Sequence, residues 1–147
     1  DVDLIDAAVA GAGINTAETA TLVAILKLGR GRVFAGVPDS ELRQFRASMY
    51  HVEARIVDAA LQVTDRALEA GDLGLARWAL TQGLLVSPDH EDLVAGCLRT
   101  EYQAGNMDKV SELVDHLSAT ARRLGVDLNE DTTRIIDTVT HADRRAS

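Results

Sequence analysis

Cysteine, proline and aromatic residues are all scarce in this sequence, and each shortage excludes something. Cys97 is the lone cysteine, so no internal disulfide can form, and a single thiol suits a reducing compartment. Two prolines and an aromatic content of 3% leave little strand-forming material, and the bulk of the composition consists of helix formers. No run of roughly 18 apolar residues is present to cross a bilayer, and no charged-then-apolar leader ends in a small-residue cleavage site. The expected compartment is the cytoplasm.

Positive charge is in short supply as well. Lysine and arginine number 15 against 23 aspartates and glutamates, for a net charge of -8 and a pI near 4.9. Non-specific nucleic-acid affinity comes from basic side chains neutralising phosphates, so this segment is not expected to bind nucleic acid directly. The imbalance is uneven. Residues 26–55 carry Lys27, Arg30, Arg32, Arg43, Arg46 and Arg55 against Asp39, Glu41 and Glu53, whereas residues 56–120 are strongly acidic. Arg30, Arg32, Arg43 and Arg46 therefore form a candidate interaction surface, although solvated helix faces carry such charges for no further reason.

What remains is a chain of 147 residues, long enough to bury about two thirds of its unfolded surface without a disulfide or a metal. It opens on Asp1 rather than methionine, as expected of a piece cut from a longer protein or of a processed chain. Hydrophobic periodicity divides it. Asn15 and Glu18 read as a capping box for a short helix over about 16–28. Two turn-prone stretches, Gly29-Arg30-Gly31-Arg32 and Gly36-Val37-Pro38-Asp39, then precede one long amphipathic helix, or two nearly collinear ones, from about 40 to 70. In that helix Phe45, Met49, Val52, Ile56, Ala60, Val63 and Ala67 recur at steps of three and four.

Gly71 stops this helix and Asp72 caps the next, which runs to about 86. Ser87 and Pro88 read as the cap and first residue of a helix over 88–103, with Leu93, Val94 or Cys97, and Leu98 inside. Gly105 and Gly125 close two more segments. The last helix starts near Asn129, carries Ile135, Ile136 and Val139, and frays from His141 onward. The expected organisation is an N-terminal extension over 1–25, a helical domain over 26–141 and a frayed tail over 142–147.

Two of the junctions repeat. Ala70-Gly71-Asp72 and Ala104-Gly105-Asn106 stand 34 residues apart, and at that offset Leu73 meets Met107, Ala76 meets Val110 and Leu80 meets Val114. Thirty-four residues is the tetratricopeptide period, in which each helical hairpin covers its apolar face by stacking on a neighbour. The full consensus is absent: neither first helix has its tryptophan, glycine and tyrosine set. The predicted fold is all-α, a tetratricopeptide-like array of about six helices.

Catalytic constellations are missing. His51, His90, His116 and His141 show no paired-ligand spacing and none is near Cys97 in sequence. Cys97 reads as a small core residue, and Asp89, Glu91 and Asp92 as acids favoured at a helix N-terminus. Gly11-Ala12-Gly13 and Gly29-Arg30-Gly31 follow no strand and lack the remaining spacing of a phosphate loop. No catalytic, cofactor or metal site is expected, and the chain is read as a non-enzyme. Trp78, the sole tryptophan, is either an inter-repeat packing group or an anchor for a partner.

Several junctions together resemble the bacterial transcriptional activator domain carried by actinobacterial regulators. They are the stretch Leu28 to Val37, Ile56-Val57-Asp58-Ala59-Ala60, Leu68-Glu69-Ala70-Gly71-Asp72, Leu85-Val86-Ser87-Pro88-Asp89-His90-Glu91, Ala104-Gly105-Asn106 and Leu124-Gly125-Val126-Asp127. The resemblance covers about residues 25–140. It implies a tetratricopeptide-like array beside a winged DNA-binding domain or, in other proteins, beside LysM modules. The work it implies is contact between proteins or self-association; nothing in residues 1–25 offers a basic recognition helix. Two rival expectations stand beside it: a structural spacer or dimerisation module of a LysM-containing protein, and a helical small-molecule sensor.

Overall fold

In a computed structural model of the chain, the structure describes residues 42–146. They form five helices and no strand: α1 (Leu42–Ala70), α2 (Leu73–Val86), α3 (Glu91–Ala104), α4 (Met107–Leu124) and α5 (Glu130–Ala146). The predicted helix over 16–28 and the junctions before residue 42 lie outside the described residues. The all-α class is as the composition implied.

Of the two expectations over 40–70, one long helix or two nearly collinear ones, the structure has the first: α1 is continuous, 29 residues long, as its freedom from glycine and proline allows. Its end is chemical. Gly71 takes φ 74°, a left-handed conformation that costs glycine nothing. Its N–H donates to the carbonyl of Leu68 at 3.2 Å, while the N–H of Asp72 donates to that of Ala67 at 2.8 Å, the paired bonds of a Schellman termination. The same two bonds recur at Gly105, from Gly105 to Tyr102 at 3.1 Å and from Asn106 to Glu101 at 3.0 Å. Gly125 and Val126 close α4 in the same way. Asp72 and Asn106 hold nearly the same backbone angles, φ -87°, ψ 80° and φ -86°, ψ 76°, so the repeat seen in sequence is also one of backbone geometry.

The α2–α3 junction differs from expectation. Pro88 is not a first helical residue: Ser87, Pro88 and Asp89 form a turn, His90 donates its N–H to the carbonyl of Ser87 at 3.3 Å, and α3 begins at Glu91. The extra turn brings Glu91 and Asp92 opposite Asn129, at the head of α5. Glu91 Oε1 accepts from the Asn129 N–H at 2.8 Å and Asp92 Oδ1 from its Nδ2 at 3.0 Å, while Asn129 Oδ1 caps the N–H of Thr132 at 2.8 Å. α5 then continues to Ala146, through the residues where fraying was expected.

Helix α3 touches all four other helices, and α1 packs along α2 as α4 packs along α3. Its apolar residues divide between two clusters. Leu93 joins Val52, Ile56, Val57, Ala60 and Val63 of α1 and Ala79 and Leu80 of α2. Val94 and Leu98 join Val110 and Leu117 of α4 and Val139 of α5. Small residues let the helices approach: a Cβ added at Gly83 would meet Leu93 at 2.8 Å and Ala60 at 3.0 Å.

A polar clasp ties α2 to α3. Glu101 accepts from Arg77 through both carboxylate oxygens, Nε to Oε1 at 2.9 Å and a terminal nitrogen to Oε2 at 3.2 Å, and also from Asn106 Nδ2. The bond from Arg77 holds the Glu101 carboxyl below its ordinary value of 4.5. A depressed carboxyl binds its proton in the unfolded chain first, so its contribution is present above that value and fades as pH falls through the lower folded one. Urea titrations at descending pH are expected to show wild type losing stability more steeply than Glu101→Gln below about pH 4.5. Parallel curves would remove Glu101 from the acid response.

Candidate functional site

Among the described residues, a groove of about 730 Å³ is lined by one flank of each of α1, α3 and α5. Leu68, Tyr102, Ile135 and Val139 supply its apolar floor, and Asp65, Glu69, Arg99, Gln103 and Arg134 its polar walls. An adjoining concavity of about 410 Å³ shares Asp65, Arg99, Arg134 and Ile135, and adds Asp92, Asp131 and Thr132.

Asp65 on α1 and Arg99 on α3 are 34 residues apart, the offset of Gly71 and Gly105, and Arg99 meets Asp65 Oδ1 at 2.9 Å. Gln103 Nε2 donates to the Leu68 carbonyl at 3.1 Å, holding the ends of the same two helices together. On α5, Arg134 reaches back to Glu130 at 3.0 Å and Asp131 at 3.3 Å. Tyr102 is 37% exposed and presents its ring at the surface. Thr132 is 1% exposed and its Oγ1 has no hydrogen-bond partner among the described residues.

No histidine or cysteine lines either part. Among the described residues no three His, Cys, Asp or Glu side chains converge to hold a metal, and no helix is long and apolar enough to cross a membrane.

Of the residues singled out in the sequence, Arg30 and Arg32 lie outside the described residues, as do the side chains of Arg43 and Arg46 on α1. Trp78 is half-buried and packs on the first cluster together with Leu75 and Leu84; it lines neither part of the groove. Cys97 is half-buried rather than fully enclosed. Burial, and then the nearby Glu101 charge, pushes its thiol up, which disfavours the nucleophilic thiolate. Sequence reasoning missed the groove residues themselves. The Asp65–Arg99 pair was open to discovery, because it shares the offset of the two glycine junctions.

No protein-family model, curated protein or solved structure matches this chain.

Proposed function

We propose that this chain is a non-catalytic protein–protein interaction module, a tetratricopeptide-like array of the kind that bacterial transcriptional regulators carry, with the α1–α3–α5 groove as its docking surface. The observation that carries the reading is the repeated Schellman junction: Gly71 and Gly105 terminate α1 and α3 with matching bonds, 34 residues apart, the period of tetratricopeptide hairpins. The pairing of α1 with α2 and α3 with α4, and the contact of α3 with α1 and α5, support stacking of that kind. In such stacking the first helix of each pair lines a common inner surface, and the groove has that lining. The sequence resemblance to the bacterial transcriptional activator domain supports the regulatory setting.

The test is selection from a random peptide library against the folded chain. Selected peptides are expected to lose binding to Tyr102→Ala, an exposed groove residue whose replacement leaves the helical circular-dichroism spectrum intact. Peptides that bind both forms equally would place the interaction surface elsewhere. Light scattering on a size-exclusion column at two ionic strengths separates the kinds of partner. A salt-resistant dimer that Tyr102→Ala dissociates would make the partner a second copy, and a monomer would make it another protein.

A further inference from the structure

We propose that the groove takes an extended peptide segment in which a lysine or arginine is flanked by apolar side chains. This rests on the groove reading above and adds the chemistry of the partner. Helices packed side by side at about 8–10 Å put α1 and α5 about 18 Å apart across α3, which an extended chain spans in about six residues. A groove of about 730 Å³ lies within the range of pockets that enclose a short ligand segment.

The charge of the partner follows from which groove charges are already answered. Arg99 is paired with Asp65, and Arg134 with Glu130 and Asp131. An incoming anion therefore competes with a carboxylate already held at either guanidinium. The carboxylates are answered less completely. Glu69 makes no ion pair among the described residues, and Asp92 receives only the neutral amide of Asn129. Glu69, in the main groove, meets an incoming cation with its charge intact, and Asp92 offers the same in the adjoining concavity. The exposed ring of Tyr102 adds a face on which a guanidinium can stack. Leu68, Ile135 and Val139 on the floor are the receptors for apolar neighbours of that cation. A chain of net charge -8 also attracts a basic segment at long range.

Fluorescence anisotropy with three labelled octapeptides tests this on the full chain: leucines flanking a central arginine, and the same peptide with glutamine or glutamate in its place. The arginine peptide is expected to bind about tenfold tighter than the glutamine peptide, a difference of about 1.4 kcal/mol, and the glutamate peptide more weakly still. Glu69→Lys is expected to weaken the arginine peptide several-fold and leave the glutamine peptide unchanged, while Tyr102→Ala weakens all three. Glutamine or glutamate peptides that bind as tightly as the arginine peptide, and remain sensitive to Tyr102→Ala, would overturn the basic partner and leave the groove standing. Binding indifferent to both substitutions, or no binding by any of the three, would overturn the proposal; indifference would also move the interaction away from the groove.

Discussion

Leu93→Ala is expected to lower the unfolding free energy by about 2–5 kcal/mol, the usual cost of emptying a core site that cannot collapse. Leu93 is fully enclosed and belongs to the cluster that joins α3 to both α1 and α2. Its two methyl groups lie over the backbone of Gly83, near Ala60. Three helices meet on one side chain, and none can close the cavity without parting from another. Against a total stability of about 5–15 kcal/mol, a loss of this size removes from about an eighth of it to all of it, and the urea midpoint should fall with little change of slope. Leu85→Ala in the same region is the control. Leu85 is 71% exposed, and its truncation should stay within about 0.5 kcal/mol. Equal losses for the two would mean that the three-helix junction is not what holds α3 in place.

The parts of the fold that can be read from sequence are those decided by neighbours along the chain. Gly71, Gly105 and Gly125 all take positive φ, because a left-handed residue at a helix end is a local demand that glycine meets at no steric cost. Asp72 caps α2 by accepting from the Leu75 N–H at 3.1 Å, as a short carboxylate at that place can. Pro88 went astray for the opposite reason. Ser-Pro-Asp satisfies a local rule for starting a helix, but the side chains beyond it are engaged at a distance: Asp89 lies 3.9 Å from Arg123, and Glu91 and Asp92 hold Asn129. No pattern of spacing within α3 carries that information.

The candidate site divides along the same line. Net charge and the spacing of histidines are legible along the chain itself, whereas a groove exists only once three helices are side by side. Asp65 and Arg99 carry no local signal on helices full of charged residues; they acquire meaning through the offset they share with the glycine junctions. Trp78 shows the converse: rarity drew notice to it, and the packing places it on the first cluster. α3 also exceeds what a single stripe predicts. Leu93 faces one cluster while Val94 and Leu98 face the other, so the helix is buried on two sides, as a central element must be.

Gly83→Ala is expected to destabilise the chain by a net of about 1–2 kcal/mol, even though alanine is the better helix former by up to about 1 kcal/mol. The added methyl would stand 3.0 Å from the Cβ of Ala60, an atom fixed directly to the α1 backbone, as well as 2.8 Å and 3.0 Å from the two methyl groups of Leu93. Leu93 can shift only within an enclosed core, and Ala60 can yield only if the α1–α2 spacing opens. Gly96→Ala provides the contrast: its one severe contact, at 2.7 Å, is with a terminal methyl of Leu80 and none is with a Cβ fixed to a neighbouring backbone, so its effect should be smaller than that of Gly83→Ala. The double variant Gly83→Ala/Leu93→Ala separates the two sources of the Gly83 penalty. Removing the Leu93 methyl groups takes away two of the three close contacts and lets the new Cβ occupy part of the vacated space. The combined loss should therefore fall short of the sum of the single losses by about 1 kcal/mol, a coupling expected only of groups in contact. Strict additivity would place the whole penalty on Ala60, and the close approach of α1 and α2, rather than the packing of α3 over them, would be what requires glycine at this position.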